Sequence, residues 1–293
     1  MDELTTLIHF NVPLHYKIHE FDLANDDTQT LLKAIAPIIR EAKYTAWGRV
    51  QTQPEMTVIL SVWPSAEKYT DFIESSEGKH FLLVLGSLSS IQPESDGDKG
   101  RGGKALEPLT IAATFGNLDR VSYRQPLYPH TQIRLVFFPT PTADDKRDIA
   151  IRHTGPSHKI GFGSAQIFEA QSAYYRSPRR GWCPWPIVRS TLDRIPGEVE
   201  TKAQPGGERE GASCDVMVAL MTWRSKEKEQ DFRDKAVVIR KDRGLVPVFE
   251  DWEDALKSQG AFGWKDYYVD FQMVDKDIQR KIKMQYYTGG HDI

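Results

Sequence analysis

The sequence predicts an α+β fold made of two tandem βαββαβ units, and three observations predict it. The first is a repeat. Trp63-Pro-Ser-Ala-Glu-Lys-Tyr-Thr-Asp-Phe72 returns as Trp223-Arg-Ser-Lys-Glu-Lys-Glu-Gln-Asp-Phe232, with six of ten positions identical. A coincidence of that length is improbable, so the repeat reads as a duplicated fold. The second is context. Each copy follows an apolar, strand-like run, Met56–Val62 and Val216–Thr222, and each opens a helix. Ser65 and Ser225 are suitable N-caps, and Glu67 and Glu227 place a carboxylate in the first turn, at the positive end of the helix dipole. The third is a weaker echo, Trp47-Gly48-Arg-Val-Gln51 against Phe162-Gly163-Ser-Ala-Gln166. The aromatic-to-Trp spacing is 16 residues in the first half and 61 in the second, which implies an insertion in the second copy.

Taken in order, Leu4–Val12 is a β-branched and apolar first strand. A helix then runs from Asp26 to about Lys43, with Leu31, Leu32, Ile35, Ile38 and Ile39 on one stripe and Pro37 marking a kink. Trp47–Gln53 and Met56–Trp63 are the second and third strands, turning at Pro54. A second helix covers Ser65–Leu88 with a break near Gly78. Gln92–Pro108 is a loop rich in Pro, Gly, Ser and charge. Leu109–Phe115 is the fourth strand. After Pro126–Pro129 the order restarts: strand Ile133–Phe138, helix Thr142–His153, strand Phe162–Tyr175, the insertion Arg176–Gly211, then the strand ending at Trp223. Its helix continues past Pro247 through Phe249–Leu256, and Asp266–Val274 is the last strand. The domains so read are 1–125, 126–275 with insertion 176–211, and a tail, 276–293. Each unit leaves one sheet face to be buried, and the economical solution packs the two sheets as a barrel, an internal dimer with a cavity between sheets.

Composition bounds the function. A net charge of −3 gives no bulk electrostatic case for nucleic acid. Cys183 and Cys214 show neither metal-ligand spacing nor a disulfide pattern, which suits a reducing, cytoplasmic setting. The N-terminus lacks signal-peptide character, and no apolar run reaches the roughly 20 residues of a membrane helix. No Rossmann fingerprint, P-loop or nucleophile elbow is present. His15 and His19 share an i, i+4 spacing, but a third metal ligand is not evident, so a solvated segment is expected and no metal site is assigned.

The strand, Trp, Ser cap, Glu and aromatic at plus nine resemble the dimeric α+β barrel superfamily. It includes antibiotic biosynthesis monooxygenases, stress-responsive barrel proteins and olivetolic-acid-cyclase-like enzymes. Fused tandem forms are common in fungal secondary metabolism. The resemblance covers nearly all of the chain outside the insertion and tail. It implies two ferredoxin-like repeats forming an internal pseudo-dimeric barrel, present as a monomer or homodimer. It also implies an apolar cavity for a small hydrophobic, aromatic or polyketide-like substrate. Relatives cyclise, rearrange or oxygenate such compounds, often without a cofactor. Haem-binding relatives such as aldoxime dehydratases make haem the second reading, with His80, 17 residues after Trp63, near the ligand position. A non-catalytic ligand-binding or stress protein is the third.

The candidate residues follow. His9 and Asn11 share a face of the first strand, because strand side chains alternate. His9 is then either a general base or a hydrogen-bonded structural histidine, and Asn11 would orient a carbonyl or phenol. His80 is a catalytic or a helix-surface histidine. Arg134, a charge inside a strand, pairs with Asp270 or binds an acidic substrate group. Trp47, Tyr123, Phe162, Tyr174 and Trp223 supply aromatic walls or plain core. The insertion's Arg176, Arg179, Arg180, Trp182 and Trp185 form a lid over an anionic ligand or pack on their own domain.

Overall fold

A computed structural model of the 293-residue chain describes residues 3–14, 26–90, 107–115, 130–153, 175–197, 199–201, 213–235, 237–273 and 280. The protein is α+β and divides into two units, Met1–Ala112 with Asp270–Ile293, and Ala113–Val269. Among the described residues no helix is long and apolar enough to cross a membrane.

Unit 1 comprises β1 (Leu4–Asn11), α1 (Asp26–Glu41), β2 (Tyr44–Val50), β3 (Gln53–Trp63), α2 (Ala66–Glu74), α3 (Ser76–Ser90) and the start of β4 (Leu109–Phe115). Its strands lie in the order β2-β3-β1-β4. β1 pairs antiparallel with β3 from Leu4 opposite Trp63 to Asn11 opposite Met56. β2 pairs with β3 from Tyr44 opposite Val62, with an irregularity after Arg49. Arg49 holds that corner by donating to the carbonyls of Val12 (2.8 Å), Pro54 (2.6 Å) and Pro13 (3.0 Å).

Directly opposed residues of an antiparallel pair share a sheet face. Ile8, Ile59 and Trp47 therefore lie together, and they form the core with Ile35, Ile38, Trp63, Phe72, Phe81 and Leu85 of the helical layer and its junctions. Leu7, His9, Val58 and Leu60 are buried on the other face. Ser65 caps α2 as expected, accepting from the Lys68 amide at 3.3 Å. The helix break falls at Ser75 rather than at Gly78. The Ser75 backbone is extended, and its hydroxyl donates to the Phe72 carbonyl (2.6 Å) and accepts from the Gly78 amide (3.0 Å). Gly78 is required there because a Cβ would lie 2.0 Å from the Phe72 oxygen.

Unit 2 holds the end of β4, then β5 (His130–Pro139), α4 (Asp144–His153), β6 (Tyr175–Trp182), β7 (Ile187–Val188), α5 (Arg189–Leu192) and β8 (Val199–Thr201). It continues through β9 (Ser213–Trp223), α6 (Lys226–Lys235), β10 (Val237–Arg240), β11 (Gly244–Pro247) and α7 (Val248–Ser258) into β12 (Gly263–Met273). The main strands run β6-β9-β5-β12-β8, with β7 on β9. In both units the principal strands thus follow one order: fourth, first, third, second.

Two expectations are corrected. The strand paired with β9 is Tyr175–Trp182, which from Arg176 on lies in the segment read as an insertion, while Phe162–Tyr174 lie outside the described residues. The Trp-Gly/Phe-Gly echo set the wrong register. Gly48 lies opposite Val58, and its counterpart is Gly181 opposite Val218. A Cβ on Gly181 would sit 2.4 Å from the Thr114 carbonyl oxygen, so glycine is needed where β4 pairs closely with β6. The second correction concerns the helix expected to continue past Pro247. α6 ends at Lys235, and a β10–β11 hairpin intervenes before α7, turning at Gly244 with φ +71°. The run Val237-Val-Ile239 favours a strand over a helix because β-branched side chains are stiff.

The repeated tryptophans do the same work in each unit. The Trp63 indole donates to the Thr6 hydroxyl at 3.0 Å, and the Trp223 indole donates to Gln132 Oε1 at 3.3 Å. Trp63 packs on Phe72 (5.2 Å between centroids) and Trp223 on Phe232 (5.5 Å). Both are fully buried. Trp63→Ala and Trp223→Ala are each expected to destabilise by about 3–5 kcal/mol. Denaturant unfolding checks this, and Trp63→Phe, which loses only the indole bond and part of the volume, should cost distinctly less.

Candidate functional site

His9 is the buried imidazole of unit 1. It is 2% exposed, and its Nδ1 lies 3.3 Å from the Leu109 carbonyl oxygen of β4. A carbonyl can only accept, so Nδ1 carries the proton and Nε2 is the basic nitrogen of the neutral ring. Asn11 follows on the same face and is partly exposed. Strand alternation places these two together as expected.

Trp47 lies on the opposite sheet face, in the core under the helices. His80 is exposed on α3. Trp223 belongs to the helix-side core of unit 2. Tyr123, Phe162 and Tyr174 lie outside the described residues, as do His15 and His19. Of the proposed lid, Arg180 donates to the Ile151 carbonyl (2.9 Å), Trp182 donates to the Arg147 carbonyl (3.2 Å), and Trp185 is exposed. Arg180 and Trp182 therefore pack on α4 of their own unit.

Arg134 is buried and ion-paired, but not with Asp270. It donates to both carboxylate oxygens of Asp266 (2.8 and 2.6 Å) and to Glu253 (3.0 Å). Asp270 lies on the same face four residues further along β12 and instead accepts from Gln51 at 2.7 Å. The guanidinium also lies over Trp252 (4.7 Å), Trp264 (5.4 Å) and Phe249 (5.6 Å). Burial alone would lower its pKa, but Asp266 and Glu253 outweigh this and raise it, so the charge is permanent.

A second polar cluster in unit 2 is centred on Glu229 of α6, which is buried. Its carboxylate accepts from His130 Nε2 (2.7 Å), the Tyr268 hydroxyl (2.5 Å) and Arg233 Nε (2.8 Å). His130 stacks on Tyr268, with centroids 4.9 Å apart and planes 7° from parallel. Arg233 also donates to Gln132 Oε1 (3.3 Å) and lies 3.8 Å from the Phe249 ring centroid. Burial would raise the Glu229 carboxyl, but its three donors hold it below the usual carboxylate range. Burial and the adjacent Glu229 charge push the Tyr268 phenol up. Sequence reading missed this cluster. Its signal was present in the repeat, where Glu229 occupies the position of the buried Tyr69.

Elsewhere, Asp215 is buried and takes hydrogen bonds from the Thr142 amide (2.8 Å), the Thr140 hydroxyl (3.0 Å) and Arg147 (2.6 Å), fixing the entry to α4. Cys183 and Cys214 are free and buried, and burial pushes the Cys214 thiol up to about 11, so neither is poised as a thiolate. Among the described residues no group of three or more His, Cys, Asp or Glu is placed to hold a metal ion.

No family profile and no curated protein matches this chain. Solved structures do. One is an anthrone oxidase-like protein, at a TM-score of 0.47 and 14% identity over 93% of this chain and 94% of that one. A protein of Lactobacillus acidophilus NCFM named as a candidate monooxygenase gives 0.43 and 9% over 94% and 100%. Chlorite dismutase from Candidatus Nitrospira defluvii gives 0.37 and 8% over 96% and 95%. At this level of similarity the comparisons assign neither a reaction nor a cofactor to this chain.

The Glu229 carboxyl gives a pH signature. Its folded pKa is depressed, so its contribution to stability is fully present above the unfolded carboxylate pKa, about 4.3. That contribution is lost as pH falls through the lower, folded value. The stability gap between wild type and Glu229→Gln should shrink as pH falls below about 4. Urea unfolding across that range checks it, and a gap independent of pH would contradict it.

Proposed function

We propose that the protein is a small-molecule enzyme of secondary metabolism, built as an internal duplication of a ferredoxin-like unit. In this reading its substrate is hydrophobic, aromatic or polyketide-like, and its chemistry is cofactor-independent acid–base catalysis. The observation that carries the reading is His9: a buried imidazole on an apolar strand face, with its tautomer set by the Leu109 carbonyl. That arrangement supports Nε2 as a general base. Leu7, Val58 and Leu60 on the same face give an apolar surround, in which an acidic C–H or O–H would be held out of water.

In the mechanism, His9 Nε2 takes the proton and becomes imidazolium, and the substrate becomes an enolate or phenolate. Asn11, next on that face, would donate to the anionic oxygen, the kind of stabilisation that dominates such steps. The anion closes a ring or rearranges, with the imidazolium returning the proton, or its carbon bonds molecular oxygen to give a peroxide anion, which takes the proton back from the imidazolium and loses water to leave a carbonyl. His80 has no part in these steps, since it is exposed on α3.

Haem is the alternative cofactor reading. A histidine that ligates iron needs an enclosed site and an uncommitted ring nitrogen. His80 is exposed, and His130 commits Nε2 to Glu229. Neither of these two fits the group, the buried His9 is assigned as the base, and no step is routed through haem.

His9→Ala should lower kcat by about 10²–10⁴-fold on an enolisable aromatic polyketide that wild type turns over, while His80→Ala leaves it unchanged. Full turnover by His9→Ala would sink the base assignment. A Soret band in protein from a haem-replete host would sink cofactor independence. Tight binding of the compound without any conversion would make the protein a ligand carrier instead.

A further inference from the structure

The β10–β11 hairpin of unit 2 is apolar on both faces. Directly opposed residues of an antiparallel pair share a face. Val238 opposite Val246 therefore forms one face, and Val237 opposite Pro247 with Ile239 opposite Leu245 forms the other. Val246 is buried and belongs to the core. The second face is open: Ile239 is 80% exposed, Leu245 68% and Val237 37%, and Pro247 is exposed as well. Ile239 is the most exposed large apolar side chain among the described residues. A hairpin with one face on the core and one in water ordinarily alternates apolar and polar residues. Val237-Val-Ile239 and Leu245-Val-Pro247 do not alternate, which is the pattern of strands covered on both sides.

The open face is held outward. Val246 anchors the hairpin in the core, and two arginines tie it to α7. Arg240 donates to the Asp251 carboxylate, and Arg243 donates to Glu250 (3.2 Å) and Asp254 (2.5 Å). Across the hairpin and the α7 residues it is tied to, Arg240, Lys241 and Arg243 stand against Asp242, Glu250, Asp251 and Asp254. A surface without surplus positive charge does not fit an anionic bilayer or nucleic acid. It fits a protein surface that is itself apolar at the centre and balanced in charge at the rim. A second copy of this hairpin has that composition, and its charges are self-complementary. Lys241 and Asp242 lie at the turn. Asp234 and Lys235, which also reaches Asp231 of its own helix, lie just before the open end. Laying one outer face on another with the strands reversed sets each turn beside the other's open end, where acid meets base.

We propose that the outer face of the β10–β11 hairpin is a self-association surface, on which two copies of the chain pair about a two-fold axis with Ile239 and Leu245 of each at the centre. The contact is between chains and uses unit 2 alone. It is independent of the duplication within the chain and of the His9 assignment, which concerns unit 1. Withdrawing the exposed aliphatic side chains of both copies from water drives it. Four side chains cover less than the roughly 800 Å² per partner of a standard interface, so the dimer is weak and forms with concentration.

The test is sedimentation velocity on the full-length chain from about 1 μM to about 1 mM. The expected result is a reversible shift from monomer to dimer that stops at the dimer, because a two-fold contact closes on itself. Ile239→Lys and Leu245→Lys should each weaken association by about tenfold or more. Both side chains are exposed, so the circular dichroism of the variants should match wild type. Leu83→Lys, at an exposed leucine of α3, should have no effect on association. Ile239→Lys and Ile239→Glu should each be monomeric alone and associate when mixed, a rescue that requires two copies to meet at this face. The proposal is overturned if wild type stays monomeric across the range, if neither lysine variant weakens the dimer, or if the mixture stays monomeric. A monomer that instead sediments with phosphatidylcholine vesicles, and loses this with Ile239→Lys, would overturn it too and assign the face to a lipid surface. His9→Ala should leave the dimer unchanged, so failure here and failure of the His9 reading are separable. The wild-type series stands alone if a variant fails to fold.

Discussion

Each unit depends on one tryptophan at the end of its third strand. Trp63 and Trp223 stand where the sheet hands over to the helix, fully buried. The ring fills the angle between strand and helix, and the indole N–H must be satisfied there because no water reaches it. The first strand provides the acceptor, Thr6 in one unit and Gln132 in the other. That single bond fixes the register of first and third strands. A one-residue slip would turn the acceptor to the opposite face and every apolar side chain with it. The serine two residues on then caps the helix, with Ser65 and Ser225 both accepting from the amide three residues ahead. Strand end, ring and cap are thus one local device, and the same decapeptide pattern builds it in both halves.

The two units differ in where they keep polar chemistry. Counting from the Trp-bonded position of the first strand, Leu4 corresponds to His130, Ile8 to Arg134 and His9 to Leu135. Tyr69 corresponds to Glu229. Unit 1 has an apolar helix-side core and a histidine on the other face. Unit 2 has an apolar other face and charges under the helices. Burying Arg134, Glu229 and their partners gives little net stability against well-packed apolar residues, since desolvation offsets most of the attraction. Removing one partner alone leaves an uncompensated charge, at about 3–5 kcal/mol. Such clusters are easy to keep and hard to leave one residue at a time.

Much of the fold was legible because it rests on local rules. Strand alternation, the Ser caps and the position of Trp in the repeat located β1, β3, α2, β9 and α6, and put His9 and Asn11 on one face. Legibility failed where pairing is set by distant residues. The partner of β9 had to supply a glycine for the close approach of β4, and Gly181 does so within Arg-Arg-Gly-Trp, a string that reads as a loop. Partner choice for Arg134 failed similarly. Asp270 and Asp266 both lie on β12 with the same alternation, and only the third dimension selects Asp266. The hairpin at Val237–Pro247 was a missed local signal, since three β-branched residues and Gly244 were in plain view.

The Glu229 cluster shows how a repeat can point to chemistry that composition hides. Comparing the two units position by position isolates places where one has a buried tyrosine and the other a buried glutamate, or one a buried leucine and the other a histidine. Neither change improves packing, because both introduce desolvation that a neighbour must offset. His130, Arg233 and Tyr268 provide that offset around one carboxylate, and Arg134 is offset separately by Asp266 and Glu253.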